Sequence, residues 1–169
     1  GGMAKTHAQA YAEIDAVELV AGVDINEQAL HAFCDQHAIK NRFTSLDDAL
    51  DWGAFDAVSN VTPDALHHQT TLPLLGAGKH VLCEKPMTLQ ADEFDQIEEA
   101  ALAAGKHCAE AYMIVHHPQF LRARALVQGG AIGALRHVDT VFSFNNAEAI
   151  GDIRNRPETG GGGLRDIGV

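Results

Sequence analysis

Apolar residues in this chain come in short runs, and the runs alternate with stretches of helical period. "VELVAGVD" (17–24) carries an apolar run over 19–23 and reads as a strand buried on both faces. "NEQALHAFCDQHA" (26–38) has helical spacing, with Asn26 as its N-cap. "RFTS" predicts a short strand, and "SLDDALDW" a helix capped by Ser45. "DAVSNVT" (56–62) predicts the next strand. "PDALHHQTTLPLLGAGK" (63–79) predicts a helix entered by proline and left at glycine. "HVLCE" (80–84) is a further strand, 89–106 an amphipathic helix, and "HCAEAYM" (107–113) a strand again. This cadence builds βαβ units and a parallel sheet covered on both faces.

After Met113 the rhythm changes. "PQFLRARALVQGG" (118–130) predicts a helix that ends in glycines. "LRHVDTVFSFNN" (135–146) then alternates. Val138, Phe142 and Phe144 share one parity with Thr140, while His137, Asp139 and Ser143 share the other, with Val141 as the exception. Period two with one polar face predicts an antiparallel strand. The expected fold class is therefore α/β, with a parallel-sheet domain of βαβ units over 1–113. A second domain with an open sheet begins over 114–169.

Composition narrows the function classes. The 169 residues carry a formal net charge of −11. That balance excludes nucleic acid, which needs clustered Lys and Arg, and an anionic membrane surface. No apolar run approaches the length that spans a bilayer. Cys34, Cys83 and Cys108 are widely spaced and odd in number, which predicts reduced thiols and a cytoplasmic location. The ten histidines are scattered, and the pairs His67-His68 and His116-His117 lack helical ligand spacing, so no metal site is expected.

Four stretches carry candidate chemistry. "GGMA" fits the end of a G-x-G-x-x-G/A turn, with Gly1 where the backbone approaches a pyrophosphate and Ala4 where helix and strand pack closely. The helix that follows offers N–H donors and a positive dipole end. Asp24 ends a predicted strand some twenty residues on, where a carboxylate accepts from ribose hydroxyls and repels a 2′-phosphate. In "NVTPDALHH" (60–68), Thr62 and Pro63 follow a strand and His67 lies one turn into the next helix; plain helix initiation by Thr-Pro-Asp also accounts for the pattern. In "CEKP", Glu84 and Lys85 follow a buried strand, where charge is costly unless it meets a ligand or a partner. Lys85 is either a surface lysine paired with Glu84 or a group that hydrogen-bonds a substrate hydroxyl. Pro86 stops the strand, and a cis Lys85–Pro86 bond is one way to aim the lysine. In "GGGGLRDIGV", Asp166 enters a short helix, where it serves either the helix dipole or a site.

Taken together, "GGMAKTHAQAY", "VDINEQA", "VTPDALHH", "GKHVLCEKPMTL", "AEAYMIVHHPQF" and "GGGGLRDIGV" resemble the Gfo/Idh/MocA oxidoreductases, in that family's order. The resemblance implies an N-terminal Rossmann domain and a C-terminal sheet domain used for oligomerisation, in a dimer or tetramer. It implies hydride transfer between NAD, with NADP as the alternative, and a secondary alcohol or carbonyl of a sugar or cyclic polyol. A sugar-sensing regulator and an NAD-dependent glycoside-cleaving enzyme are the rival readings. By position, Gly1, Gly2 and Met3 match the phosphate turn, and Asp24 and Ile25 the adenosine side. Thr62, Pro63 and His67 match the segment beside the nicotinamide half. Glu84 and Lys85 match the E-K-P pair, whose lysine meets cofactor and substrate. Tyr112 and Asp166 match substrate-side positions, Asp166 belonging to a D-x-x-x-H/Y element. "EAYM" followed by "HHP" leans towards the sugar and dihydrodiol branch, while Val115 and His116 stand where many relatives have arginine. Both ends read as cut through elements, so a longer chain is expected, with the family's first strand and its acid/base outside these residues. The 169 residues alone are expected to bind cofactor weakly and not to turn over.

Overall fold

The computed structural model describes residues 2–145, 151–152, 155–156, 159 and 161–167. The side chains of Arg165 and Asp166 lie outside that description, as does Gly1. The chain divides into two compact units, Gly1–Glu110 and Ala111–Val169.

The first unit alternates helix and strand. Its order is α1 (Gly2–Tyr11), β1 (Ala21–Val23), α2 (Glu27–Gln36), β2 (Asn41–Phe43), α3 (Leu46–Trp52), β3 (Ala57–Asn60), a 3-10 turn at Asp64–Leu66, α4 (His67–Gly76), β4 (His80–Cys83), α5 (Ala91–Ala104) and β5 (Cys108–Glu110). Local chemistry fixes the helix starts. The Asn26 side chain accepts from the Ala29 N–H at 3.0 Å, and Ser45 Oγ from the Asp48 N–H at 3.1 Å. These caps satisfy donors that a helix start otherwise leaves unpaired. Gly53 and Gly105 end α3 and α5 in the left-handed region, at φ 65° and 63°. At α5 the Glu93 carboxylate reaches back to the peptide N–H groups of Leu89 and Gln90.

The strands form two sheets, not one. β1 pairs with β2, and β3, β4 and β5 pair in that order. Every pairing is parallel, with Ala21 opposite Asn41, Asn60 opposite Cys83, and Cys83 opposite Glu110. Parallel pairing puts the carboxyl ends of neighbouring strands on one edge. In the larger sheet, Val61-Thr62, Glu84-Lys85 and Ala111 follow those ends. The main core lies between α4, α5 and this sheet: Leu74, Leu75, Val81, Cys83, Met87 and Ile97 form one buried cluster. A smaller cluster of Leu30, Cys34 and Ile39 seats α2 on β1 and β2. Cys34, Cys83 and Cys108 are free thiols.

The second unit contains a 3-10 turn at Met113–His116, α6 (Pro118–Gln128) and the short α7 (Gly163–Ile167). His117 Nδ1 caps α6 by accepting from the Gln119 N–H at 3.2 Å. Of the strand expected over 135–146, residue 146 lies outside the described residues, and 135–145 have no regular structure, with Val141, Phe142 and Phe144 exposed. Alternation prepares two faces, but a strand also needs a ladder partner, and no described strand pairs with this segment. Among the described residues, no helix is long and apolar enough to cross a membrane.

Candidate active site

The site is built where β3 and β4 end. Glu84 follows β4 and is 6 % exposed. Its backbone N–H donates to Asn60 O at 2.9 Å, which continues the β3–β4 ladder one step past the strand. A buried carboxylate must be matched by donors. His7, on α1, supplies one: its Nε2 lies 2.8 Å from Glu84 Oε1. The Lys85 peptide N–H supplies another, to Oε2 at 3.2 Å. The other ring nitrogen of His7, Nδ1, is bonded to Ser59 Oγ on β3. The Tyr11 ring meets the His7 ring edge-on, with 6.0 Å between centroids.

Beside it, Asn60 organises the turn into α4. This buried amide donates to Thr70 Oγ1 at 2.8 Å and Thr71 Oγ1 at 3.0 Å. Its carbonyl accepts from the Thr62 hydroxyl at 2.8 Å and from the Thr62 N–H at 3.3 Å. His67 is fully buried. Its Nδ1 lies 2.8 Å from Pro86 O and its Nε2 2.8 Å from Thr62 O, so one ring ties the β3 turn to the β4 turn. The Lys85–Pro86 peptide is cis. Lys85 itself is half-buried, between buried Glu84 and buried Pro86. Met87 N–H then donates to Glu110 Oε1 at 2.8 Å, which anchors the far side of the turn to β5.

The structure thus brings Thr62, His67, Glu84 and Lys85 onto one edge of the larger sheet. His67 begins α4 instead of sitting one turn into it, because Asp64–Leu66 forms a 3-10 turn first. Pro63 is exposed at the start of that turn. Asp24 follows β1; its Oδ1 accepts from the Asn26 N–H at 2.8 Å, and the next residue, Ile25, is 91 % exposed. Gly2 and Met3 form the first turn of α1, and a Cβ placed on Gly2 would meet nothing within 4 Å. Tyr112 and Asp166 belong to the second unit. Asp166 lies on α7, and Gly1 is outside the described residues.

Sequence reasoning missed His7, Ser59, Asn60 and Glu110. His7 stands inside "GGMAKTHAQAY", four residues after Met3 and four before Tyr11, beyond the first turn whose glycines and N–H donors carry the phosphate motif. Asn60 left one signal: an amide at the end of a strand, where the chain turns into α4. Among the described residues, no group of three or more His, Cys, Asp or Glu side chains could hold a metal ion.

The residues present fit a dinucleotide. An open helix N-terminus offers peptide donors, an acid ends a parallel strand, and an exposed apolar residue adjoins it. Together with the βαβ order and the all-parallel sheets, they define a Rossmann-like α/β protein. The family follows from comparison with known proteins. Residues 1–112 match an oxidoreductase family with an NAD-binding Rossmann fold, and residues 120–169 match the GFO/IDH/MocA C-terminal domain. The chain belongs to the Gfo/Idh/MocA oxidoreductase family.

A dTDP-3,4-didehydro-2,6-dideoxy-alpha-D-glucose 3-reductase of Streptomyces violaceoruber is 43% identical over 114 residues, which are 68% of this chain and 33% of that protein. A scyllo-inositol 2-dehydrogenase (NADP(+)) of Bacillus subtilis is 30% identical over 164 residues, 94% of this chain and 49% of that one. The crystal structure of the WlbA dehydrogenase from Bordetella pertussis, in complex with NADH and UDP-GlcNAcA, superposes with a TM-score of 0.73 at 29% identity, over 77% of this chain and 40% of that one. The chain therefore spans a third to a half of the length of these relatives.

Proposed function

We propose that the protein is an NAD(P)-dependent oxidoreductase acting on a secondary alcohol or carbonyl of a sugar or cyclic polyol. The observation that carries this reading is the E-K-P turn. Lys85 is half-buried at the carboxyl edge of a parallel sheet, and its peptide is pinned to a buried, donor-matched carboxylate. Ligands of open α/β sheets bind at that edge.

Gly1, Gly2 and Met3 would hold the phosphates through peptide N–H groups. Asp24 would take the adenosine ribose with the carboxylate oxygen not engaged by Asn26, and Ile25 would lie against the base. That carboxylate favours NAD, with NADP as the second choice. Thr62, Pro63, Glu84 and Lys85 would border the nicotinamide half, with His67 fixing their turns from beneath. Bound, the nicotinamide supplies the hydride donor or acceptor. Lys85 would hydrogen-bond the reacting oxygen and favour its anionic form. Tyr112 and Asp166 would contact the substrate. In this reading residues 1–113 form the cofactor domain and 114–169 belong to a substrate and oligomerisation domain. There 135–146 would join a mostly antiparallel sheet, in a homodimer or homotetramer. Three free thiols suit the cytoplasm.

The test is NADH-linked turnover of the full-length protein on a panel of sugars and cyclic polyols. Lys85→Ala is expected to lower kcat by about 100-fold or more, the cost of removing one donor to a developing oxyanion. Turnover equal to that of the parent protein overturns the role given to Lys85.

A further inference from the structure

We propose that His7 is a positioning residue for Lys85, acting through Glu84. The inference rests on the role given to Lys85 above and adds a residue that no motif reasoning supplied.

The geometry is specific. Glu84 has two carboxylate oxygens, and each has a different duty: Oε1 is bonded to His7 Nε2, and Oε2 to the Lys85 peptide N–H. An ionised carboxylate only accepts, so His7 must present its proton on Nε2. Ser59 Oγ can donate to Nδ1 or accept from it, so it holds the ring in that orientation whichever way its hydroxyl turns. Tyr11 closes on the ring edge-on. His7 is thereby fixed on three sides, and it fixes the carboxylate that fixes the Lys85 backbone. The same ring anchors α1, the helix whose N-terminus faces the cofactor phosphates in this reading. One side chain therefore sets the lysine and the phosphate helix relative to each other.

The consequence of losing it follows from burial. Without His7, Glu84 loses the side-chain donor at Oε1 and keeps the Lys85 peptide N–H at Oε2, for a carboxylate that is almost fully buried. The nearest cationic group in sequence is the Lys85 ammonium, and the carboxylate draws it away from the substrate side. Misplacement of a catalytic group by about 1 Å costs up to about 100-fold in rate.

The test measures, in the full-length protein, kcat, KM for substrate, and the Kd for NADH of His7→Ala, His7→Gln and the double variant His7→Ala/Glu84→Gln. His7→Ala is expected to lower kcat by roughly 10- to 100-fold. His7→Gln, which keeps an N–H of similar reach, is expected to recover most of that loss. Adding Glu84→Gln to His7→Ala removes the stray charge and is expected to recover part of it. A kcat within twofold of the parent for His7→Ala overturns the proposal. So does a His7→Gln that loses as much as His7→Ala at equal folded fraction, or a double variant worse than His7→Ala. In the protein without cofactor, 15N NMR of the His7 ring is expected to show a proton on Nε2; a proton confined to Nδ1 overturns the proposal with no enzyme assay involved. If Lys85→Ala turns over normally, the underlying reading falls. If Lys85→Ala is impaired and His7→Ala is not, only the present inference falls.

Discussion

His67 has no exposed surface, and each of its ring nitrogens meets a carbonyl oxygen. Replacing it takes away the donor to one of these carbonyls and leaves a hole under both site turns. His67→Ala is expected to destabilise the first unit by about 3 kcal/mol, the sum of lost packing and an unmatched carbonyl. Urea unfolding measures this; a loss below about 1 kcal/mol would show the clamp to be dispensable. The residues that spacing made prominent were those with evident charge or a rigid backbone, and Glu84 and Lys85 were legible on that ground. Their partners were not. Spacing alone offers Lys85 or a ligand as the mate of Glu84, and the side chain that meets it is His7, 77 positions away. A contact between residues so far apart has no local periodicity to reveal it. It becomes visible only once the topology is known.

Gly22 shows the same limit one level up, in the packing of β1 on α2. A Cβ at Gly22 would lie 2.7 Å from Cys34 Sγ and 3.2 Å from Leu30 Cδ1. Gly22→Ala is therefore expected to cost about 1–3 kcal/mol by overpacking. Cys34→Ala in the same chain removes the sulfur, so the double variant should lose less than the sum of the two singles. Additive losses in a double-mutant cycle would refute the clash. Element existence was legible here and element length was not. "VELVAGVD" holds an unbroken apolar run over 19–23, yet β1 is Ala21–Val23, because a strand extends only as far as its ladder with β2. The caps at Asn26 and Ser45 were legible, since each acts within three residues of itself. The alternating segment 135–146 marks the opposite extreme. Its two faces are written in the chain, and its ladder partner is not.

Across the whole first unit, burial sets a response to alkali. Burial is the main cause that raises the Cys83 thiol from its ordinary 9.0 to about 12. Above pH 9.0 the unfolded chain releases this proton and the folded one keeps it until about 12. The unfolded state then binds fewer protons, so stability falls as pH rises through that window. Burial raises Cys34 and Cys108 as well, which steepens the fall. In Cys83→Ala the slope of unfolding free energy against pH should be shallower by about 1.4 kcal/mol per pH unit between those limits. Identical slopes in the two proteins would contradict a buried, protonated thiol. The sheet that holds this thiol was legible as parallel βαβ units, but its division into two sheets was not, because strand order is a property of the assembled unit.

The bond between His7 and Glu84 also has a place in time. It closes a span of 77 positions. At about 5–20 residues per second, Glu84 leaves the ribosome roughly 4 to 15 seconds after His7. Throughout that interval α1 is made but has no carboxylate to receive it. The larger sheet, whose contacts are shorter in sequence, can form around α4 and α5 first. Helix α1, made before the sheet that receives it, is then among the last of these elements to dock, and a nascent chain completes this bond by folding back onto a segment made seconds earlier.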